Sequence, residues 1–111
     1  MHPVIESNRD ALTELCRRYH VLTLEVFGSA ATGDYRPGKS DIDLLAEFDH
    51  DAPIPALDQY LGFRGDAEAL LGGPIDLVHP SELRNPYFRH EVNETRKPLY
   101  AAQAPAHAKR M

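Results

Sequence analysis

Two carboxylates stand two residues apart where the chain enters an alternating run, Asp41-Ile42-Asp43-Leu44-Leu45-Ala46-Glu47-Phe48. Alternation of this period predicts a β-strand over 41–48. In a strand, side chains two apart share a face, with Cα atoms roughly 6–7 Å apart. Asp41 and Asp43 therefore point one way, Ile42 and Leu44 the other. The apolar side has to be covered, while two like charges side by side have to be solvated or paired with cations. Any fold for this chain must meet both demands along one short strand.

The flanking segments fill in the rest. Val4, Ile5, Leu12, Leu15, Cys16 and Tyr19 fall largely at helical spacing among charged residues, which predicts an amphipathic helix over 3–19 with Pro3 tolerated near its first turn. Cys16 lies on its apolar stripe as a small buried hydrophobe. Val21 to Phe27 is β-branched and aromatic and reads as a strand, followed at once by Gly28-Ser29. Residues 30–39 read as a loop. Asp49 to Pro55 breaks the chain, 56–71 forms a helix weakened by Gly62 and Gly65, and Gly72-Gly73-Pro74 stops it. Ile75-Asp76-Leu77-Val78 is a short third strand with an acid at its centre. A last helix is expected within 81–100, with Ser81 as a possible cap and Pro86 and Pro98 limiting its ends. Residues 1–100 form the expected domain and 101–111 a flexible tail.

Composition narrows the function classes. With 12 basic and 17 acidic residues the formal net charge is −5, a poor balance for holding nucleic acid through its phosphates. A single cysteine rules out an intrachain disulfide framework. No apolar run approaches the ~20 residues that span a bilayer, and the first residues lack the pattern of a signal peptide, so no membrane partner is expected and a cytoplasmic location is the default expectation. The six histidines, at 2, 20, 50, 79, 90 and 107, show no metal-ligand spacing.

What remains is a cation chemistry built on acids. Mg²⁺ prefers one or two carboxylates together with substrate phosphate oxygens, and Asp76 is the candidate third acid beside Asp41 and Asp43. Gly28 permits a tight turn and a close approach to a ligand, and the amide and hydroxyl of Ser29 are donors for a triphosphate.

In this order the residues Phe27-Gly28-Ser29, Ser40-Asp41-Ile42-Asp43-Leu44-Leu45 and Pro74-Ile75-Asp76-Leu77-Val78 resemble the polymerase-beta-like nucleotidyltransferase superfamily, and within it the minimal nucleotidyltransferases (MNT) that pair with HEPN-domain proteins. Lys97-Pro98-Leu99-Tyr100 looks like the helix end of that family. The resemblance implies an α/β (α+β) fold, a short mixed sheet packed with about three to four helices. It implies an antitoxin that transfers AMP from ATP to a tyrosine of a cognate HEPN ribonuclease toxin, releasing pyrophosphate. By the same resemblance Asp41 and Asp43 hold two Mg²⁺ ions, Asp76 binds the catalytic one and helps deprotonate the tyrosine, and Gly28 and Ser29 hold the triphosphate. Family members often carry arginines just after Gly-Ser; here Ala30 and Thr32 stand instead, and Arg36, Lys39 and Ser40 are the candidate substitutes in nucleotide binding. The alternative within the resemblance is an antitoxin that blocks its toxin stoichiometrically, without catalysis.

A rival motif sits in the same loop. Gly33-Asp34-Tyr35-Arg36-Pro37-Gly38-Lys39-Ser40 matches the P-loop pattern letter for letter, and Ser40 with Asp43 mimics a helix capping box. A P-loop needs a strand just before Gly33 and a helix after Lys39. Five turn-like residues separate Phe27 from Gly33, the segment after Ser40 alternates, and Pro37 lacks an N–H for a phosphate cradle. A P-loop nucleotide-binding protein is the remote alternative.

Overall fold

The computed structural model describes residues 1–102. In chain order it contains α1 (Pro3–Glu6), α2 (Arg9–Arg18), β1 (Val21–Phe27), α3 (Ser29–Thr32), β2 (Ile42–Phe48), α4 (Ala56–Leu71), β3 (Ile75–Val78), a 3-10 helix (Pro80–Arg84), α5 (Pro86–Thr95) and β4 (Lys97–Ala101). The strands form one mixed sheet in the order β3-β2-β1-β4. β1 runs antiparallel to β2 and β4, and β2 runs parallel to β3. A parallel neighbour cannot be reached by a hairpin; α4 makes the crossover from β2 to β3.

Strand alternation sorts the side chains between two apolar layers. On one face Leu24 and Val26 of β1, Leu44 and Ala46 of β2 and Leu77 of β3 pack with Leu12 and Leu15 of α2 and Phe63 and Ala67 of α4. On the other, Phe27, Leu45 and Val78 meet Val92 and Phe88 of α5 and Leu83. This second cover is small. One step along the strands from Leu45 and Val78, on the same face, stand Asp43 and Asp76, where the apolar cover has ended.

Gln59, on α4, is the buried polar residue of this core, with 2% of its surface exposed. Its Nε2 donates to the carbonyl oxygens of Tyr19 at 2.8 Å and Asp49 at 3.2 Å, with His20 at 3.4 Å. It thus ties the α2–β1 turn and the end of β2 to the crossover helix. Gly62 serves the same packing. A Cβ there would lie 2.5 Å from the Tyr19 ring, so the glycine lets Tyr19 cross α4 closely and its hydroxyl donate to Asp66 at 2.5 Å.

Several sequence expectations are corrected. The helix over 3–19 is two helices, because Asn8 leaves helical geometry and its side chain donates to the Val4 carbonyl at 2.8 Å; short polar side chains compete in this way with the helix ladder. Residues 29–32 form a helical turn where 30–39 read as loop. The region 81–100 is not one helix: His79 caps the 3-10 turn, Asn85 caps α5, and α5 ends at Thr95. Lys97-Pro98-Leu99-Tyr100 is not a helix end but strand β4. Ala101, assigned to the tail, pairs with Thr23, and the Ala102 N–H donates to the Leu22 carbonyl at 2.8 Å; the rest of that segment lies outside the described residues.

Removing the Gln59 amide leaves the Tyr19 carbonyl without its donor, while the His20 and Asp49 carbonyls keep those of Asp49 and Ala52, a loss of about 2 kcal/mol. Gln59→Leu is expected to lower the unfolding free energy by that amount in urea denaturation; stability equal to the parent would show that the amide does not hold these segments together.

Candidate active site

The acids predicted from spacing come together at one end of the sheet. Asp43, second residue of β2, pairs laterally with Phe27 of β1 on one side and Asp76 of β3 on the other. Asp41 lies just before β2 and is exposed, as is Asp76, whereas Asp43 is half-buried. Burial pushes the Asp43 carboxyl up to about 6, and the nearby charges of Asp76 and Asp41 add to the shift. Among the described residues no hydrogen bond or ion pair compensates these three carboxylates.

Gly28 is shaped for this neighbour. Its backbone sits at φ 71°, ψ −149°, a region that side-chain-bearing residues avoid. A Cβ at this position would overlap Oδ2 of Asp43. Glycine is therefore required twice, by conformation and by space. The Gly28 carbonyl accepts from the N–H groups of Ala31 at 3.1 Å and Thr32 at 3.2 Å, which starts α3. The Gly28 N–H donates to the hydroxyl of Thr95 at 2.7 Å. No side chain caps α3, so the N–H of Ser29, at its first position, has no partner within that helix. The Ser29 hydroxyl stands beside it, half-exposed.

The connecting loop behaves differently from its motif. Ser40 accepts the Arg36 N–H on its hydroxyl at 3.1 Å, and its own N–H donates back to the Arg36 carbonyl at 2.9 Å. Ser40 closes residues 36–40 into a turn. Arg36 and Lys39 are exposed, and neither forms an ion pair with the acids. Gly33 follows a single helical turn and Asp43 lies in a strand, so both the P-loop context and the capping box fail. Tyr35 is 5% exposed and packs edge-on against His2 with ring centroids 5.0 Å apart. Of the histidines, His2 caps α1 and His79 the 3-10 turn. Cys16 is fully buried, which pushes its thiol up to about 12 and leaves it inert.

The donor set suits a hard divalent cation. Carboxylate oxygens are the ligands Mg²⁺ takes from proteins, with water and substrate phosphate completing its shell. Among the described residues no three His, Cys, Asp or Glu side chains form a ready cage around one point. Thr95 is the site neighbour that sequence reasoning missed: it lies 67 positions from Gly28 and belongs to no motif.

Comparison with known proteins points the same way. The family model of the nucleotidyltransferase domain matches residues 9–99. The protein adenylyltransferase MntA of Thermococcus cleftensis is 38% identical over 72 residues, 65% of this chain and 69% of that protein. The solved structure of a protein assigned as a minimal nucleotidyltransferase superposes with a TM-score of 0.71 at 32% identity, covering 89% of this chain and 97% of the other. A chain from the complex of tri-AMPylated Shewanella oneidensis HEPN toxin with MNT antitoxin gives a TM-score of 0.57 over 88% of this chain and 73% of its own length. Its identity of 17% makes that last likeness one of fold.

The raised Asp43 pKa fixes a sign. The folded value of about 6 lies above the ordinary 3.8, so the fold binds more protons than the unfolded chain between those values. The cost of ionising Asp43 is absent below pH 3.8, grows as pH rises, and is complete above about 6. After allowance for solvent screening it amounts to about 1 kcal/mol. Asp43→Asn is expected to exceed the parent in stability by that amount in EDTA at pH 7, with the gap closing by pH 4. Denaturation curves at the two pH values check this; a gap independent of pH would contradict it.

Proposed function

This chain belongs to the nucleotidyltransferase domain family, and on that premise we propose that it transfers AMP from ATP to a tyrosine hydroxyl of a HEPN-type partner protein. The observation that carries the reading is Asp43: a half-buried carboxylate with no counter-charge among the described residues, pressed between Asp76 and the missing side chain of Gly28. Such a group is costly to the fold and is explained by a cation that arrives with substrate. The relatives supply the chemistry: MntA is a protein adenylyltransferase, and the fold neighbour is an MNT antitoxin beside an AMPylated HEPN toxin.

In this reading Asp41 and Asp43 would hold two Mg²⁺ ions, and Asp76 would bind the catalytic one. When bound, the metal pair neutralises triphosphate charge and makes the acceptor hydroxyl more acidic. Ser29 donates its N–H and hydroxyl to the outer phosphates, and Gly28 lets the backbone come close enough. Arg36 and Lys39 add positive charge at the loop that Ser40 closes. Asp76 receives the acceptor proton. The acceptor oxygen forms a bond to the α-phosphorus, the bond from that phosphorus to the bridging oxygen breaks, and pyrophosphate leaves. The charge balance of the chain speaks against nucleic acid as acceptor. Among the described residues no helix is long and apolar enough to cross a membrane, and the reaction is assigned to the cytoplasm, where ATP is plentiful.

One observation favours a second reading, stoichiometric blocking of the toxin: α3 carries no basic residue to grip the triphosphate. The two separate by weighing the partner. After incubation with a HEPN-type protein, ATP and Mg²⁺, the partner is expected to gain one or more AMP units; a stable complex of unchanged mass supports blocking. Asp41→Asn and Asp43→Asn are each expected to lower transfer by about 10²-fold or more while keeping the fold. Turnover at the parental rate in either variant would sink the assignment. Lys39→Ala is expected to cost less than Asp41→Ala, since a P-loop lysine is not what binds the nucleotide.

A further inference from the structure

Gly28 is held from both sides, through its carbonyl by α3 and through its N–H by a residue from the far end of the fold. The β1–β4 ladder closes at Val26 and Lys97. Beyond that pair the Gly28 N–H has no strand partner, and the Thr95 hydroxyl takes it at 2.7 Å, acting as one more rung supplied by a side chain. Thr95 is the last residue of α5, and its chain neighbours on both sides fix its place. Arg96 Nε donates to Glu25 Oε2 at 3.0 Å and Nη2 to Oε1 at 2.5 Å, a two-pronged pair onto β1. Its Nη1 donates to Asn93 at 2.8 Å. Phe88 packs edge-on against Phe27, the residue before Gly28, at 6.1 Å between ring centroids.

The N–H that Thr95 holds belongs to the Phe27–Gly28 peptide; rotating that peptide would move Gly28 relative to the Asp43 carboxylate it accommodates and shift the start of α3, where the Ser29 donors stand. We propose that Thr95 is a positioning residue for the nucleotide triphosphate: its hydroxyl fixes the Phe27–Gly28 peptide and so sets where Gly28, and with it the Ser29 donors at the start of α3, stand. The inference rests on the nucleotidyltransferase reading. The absence of arginine after Gly-Ser gives it weight, because the few donors this site has must then be well oriented.

Thr95→Val replaces the hydroxyl by a methyl of the same shape, and Thr95→Ser keeps the hydroxyl. In ATP titrations of AMP transfer, Thr95→Val is expected to raise KM for ATP about 10-fold, with kcat changed by less than about 3-fold and KM for the partner protein unchanged. Thr95→Ser is expected to restore KM for ATP to within about 3-fold of the parent. Calorimetric titration with MgATP should show the same order of Kd, and melting curves should show all three proteins folded. A parental KM and Kd for ATP in Thr95→Val would overturn the proposal. So would equal losses in both variants accompanied by a fall in Tm, which marks a merely structural role. Parent protein that binds MgATP without transferring AMP overturns the transferase reading instead, and the Kd comparison then decides on Thr95 alone.

Discussion

The parallel register of β2 and β3 sets Ile42 beside Ile75, Asp43 beside Asp76 and Leu45 beside Val78. Each pair lands on a definite face: Ile42 and Ile75 under α2 and α4, Leu45 and Val78 under α5, and the aspartates beyond the edge of that second cover. A slip of one residue would drive Asp43 or Asp76 into the apolar layer, where an unpaired charge is prohibitively expensive. The register is therefore fixed by the same hydrophobic burial that leaves the acids outside it. The antiparallel partner adds the third element, since Phe27 opposite Asp43 brings Gly28 into range of its carboxylate.

The arrangement divides the molecule into a part that is satisfied and a part that is not. Around Gln59 the buried polar atoms have partners, and among the described residues no buried side-chain nitrogen or oxygen is left unpaired. At the open end of the sheet Asp43 feels the charges of Asp76 and Asp41 with no compensating partner among the described residues. Concentrating the unfavourable electrostatics in one place, on the strands, keeps the acids in position while sparing the rest of the core. The loop motif Gly33 to Ser40 contributes to neither part as its letters suggest; its serine works as a turn-closing acceptor.

Much of this was legible in the chain. β1, α4 and β3 begin and end where the apolar pattern and the Gly72-Gly73-Pro74 stop put them, and β2 starts one residue later, at Ile42. These segments are self-consistent, so local signals and tertiary structure agree. Of the site, Gly28, Asp41, Asp43 and Asp76 were visible because an acid in an apolar strand, or a glycine at a strand end, has few innocent explanations. The rest depends on distant partners. β4 is a five-residue edge strand containing Pro98, and nothing in Lys97 to Ala101 alone says that it will pair with β1. The Thr95 hydroxyl matters only because the chain returns to Gly28. The interruption at Asn8 turns on one side-chain hydrogen bond against a helical pattern that otherwise continues.

The order β3-β2-β1-β4 puts the last strand against the first. As the chain emerges from synthesis, β1, β2, α4 and β3 are all present before any residue of β4. Until α5 and β4 follow, the Gly28 N–H lacks the Thr95 hydroxyl and β1 is a bare sheet margin. The acids are thus assembled early by local and crossover contacts, while the loop beside them is finished only when the two ends of the domain meet. Completion of the candidate site is in this way tied to α5 and β4, and a fragment stopping at the 3-10 helix would carry its three acids without the Thr95 contact that holds Gly28.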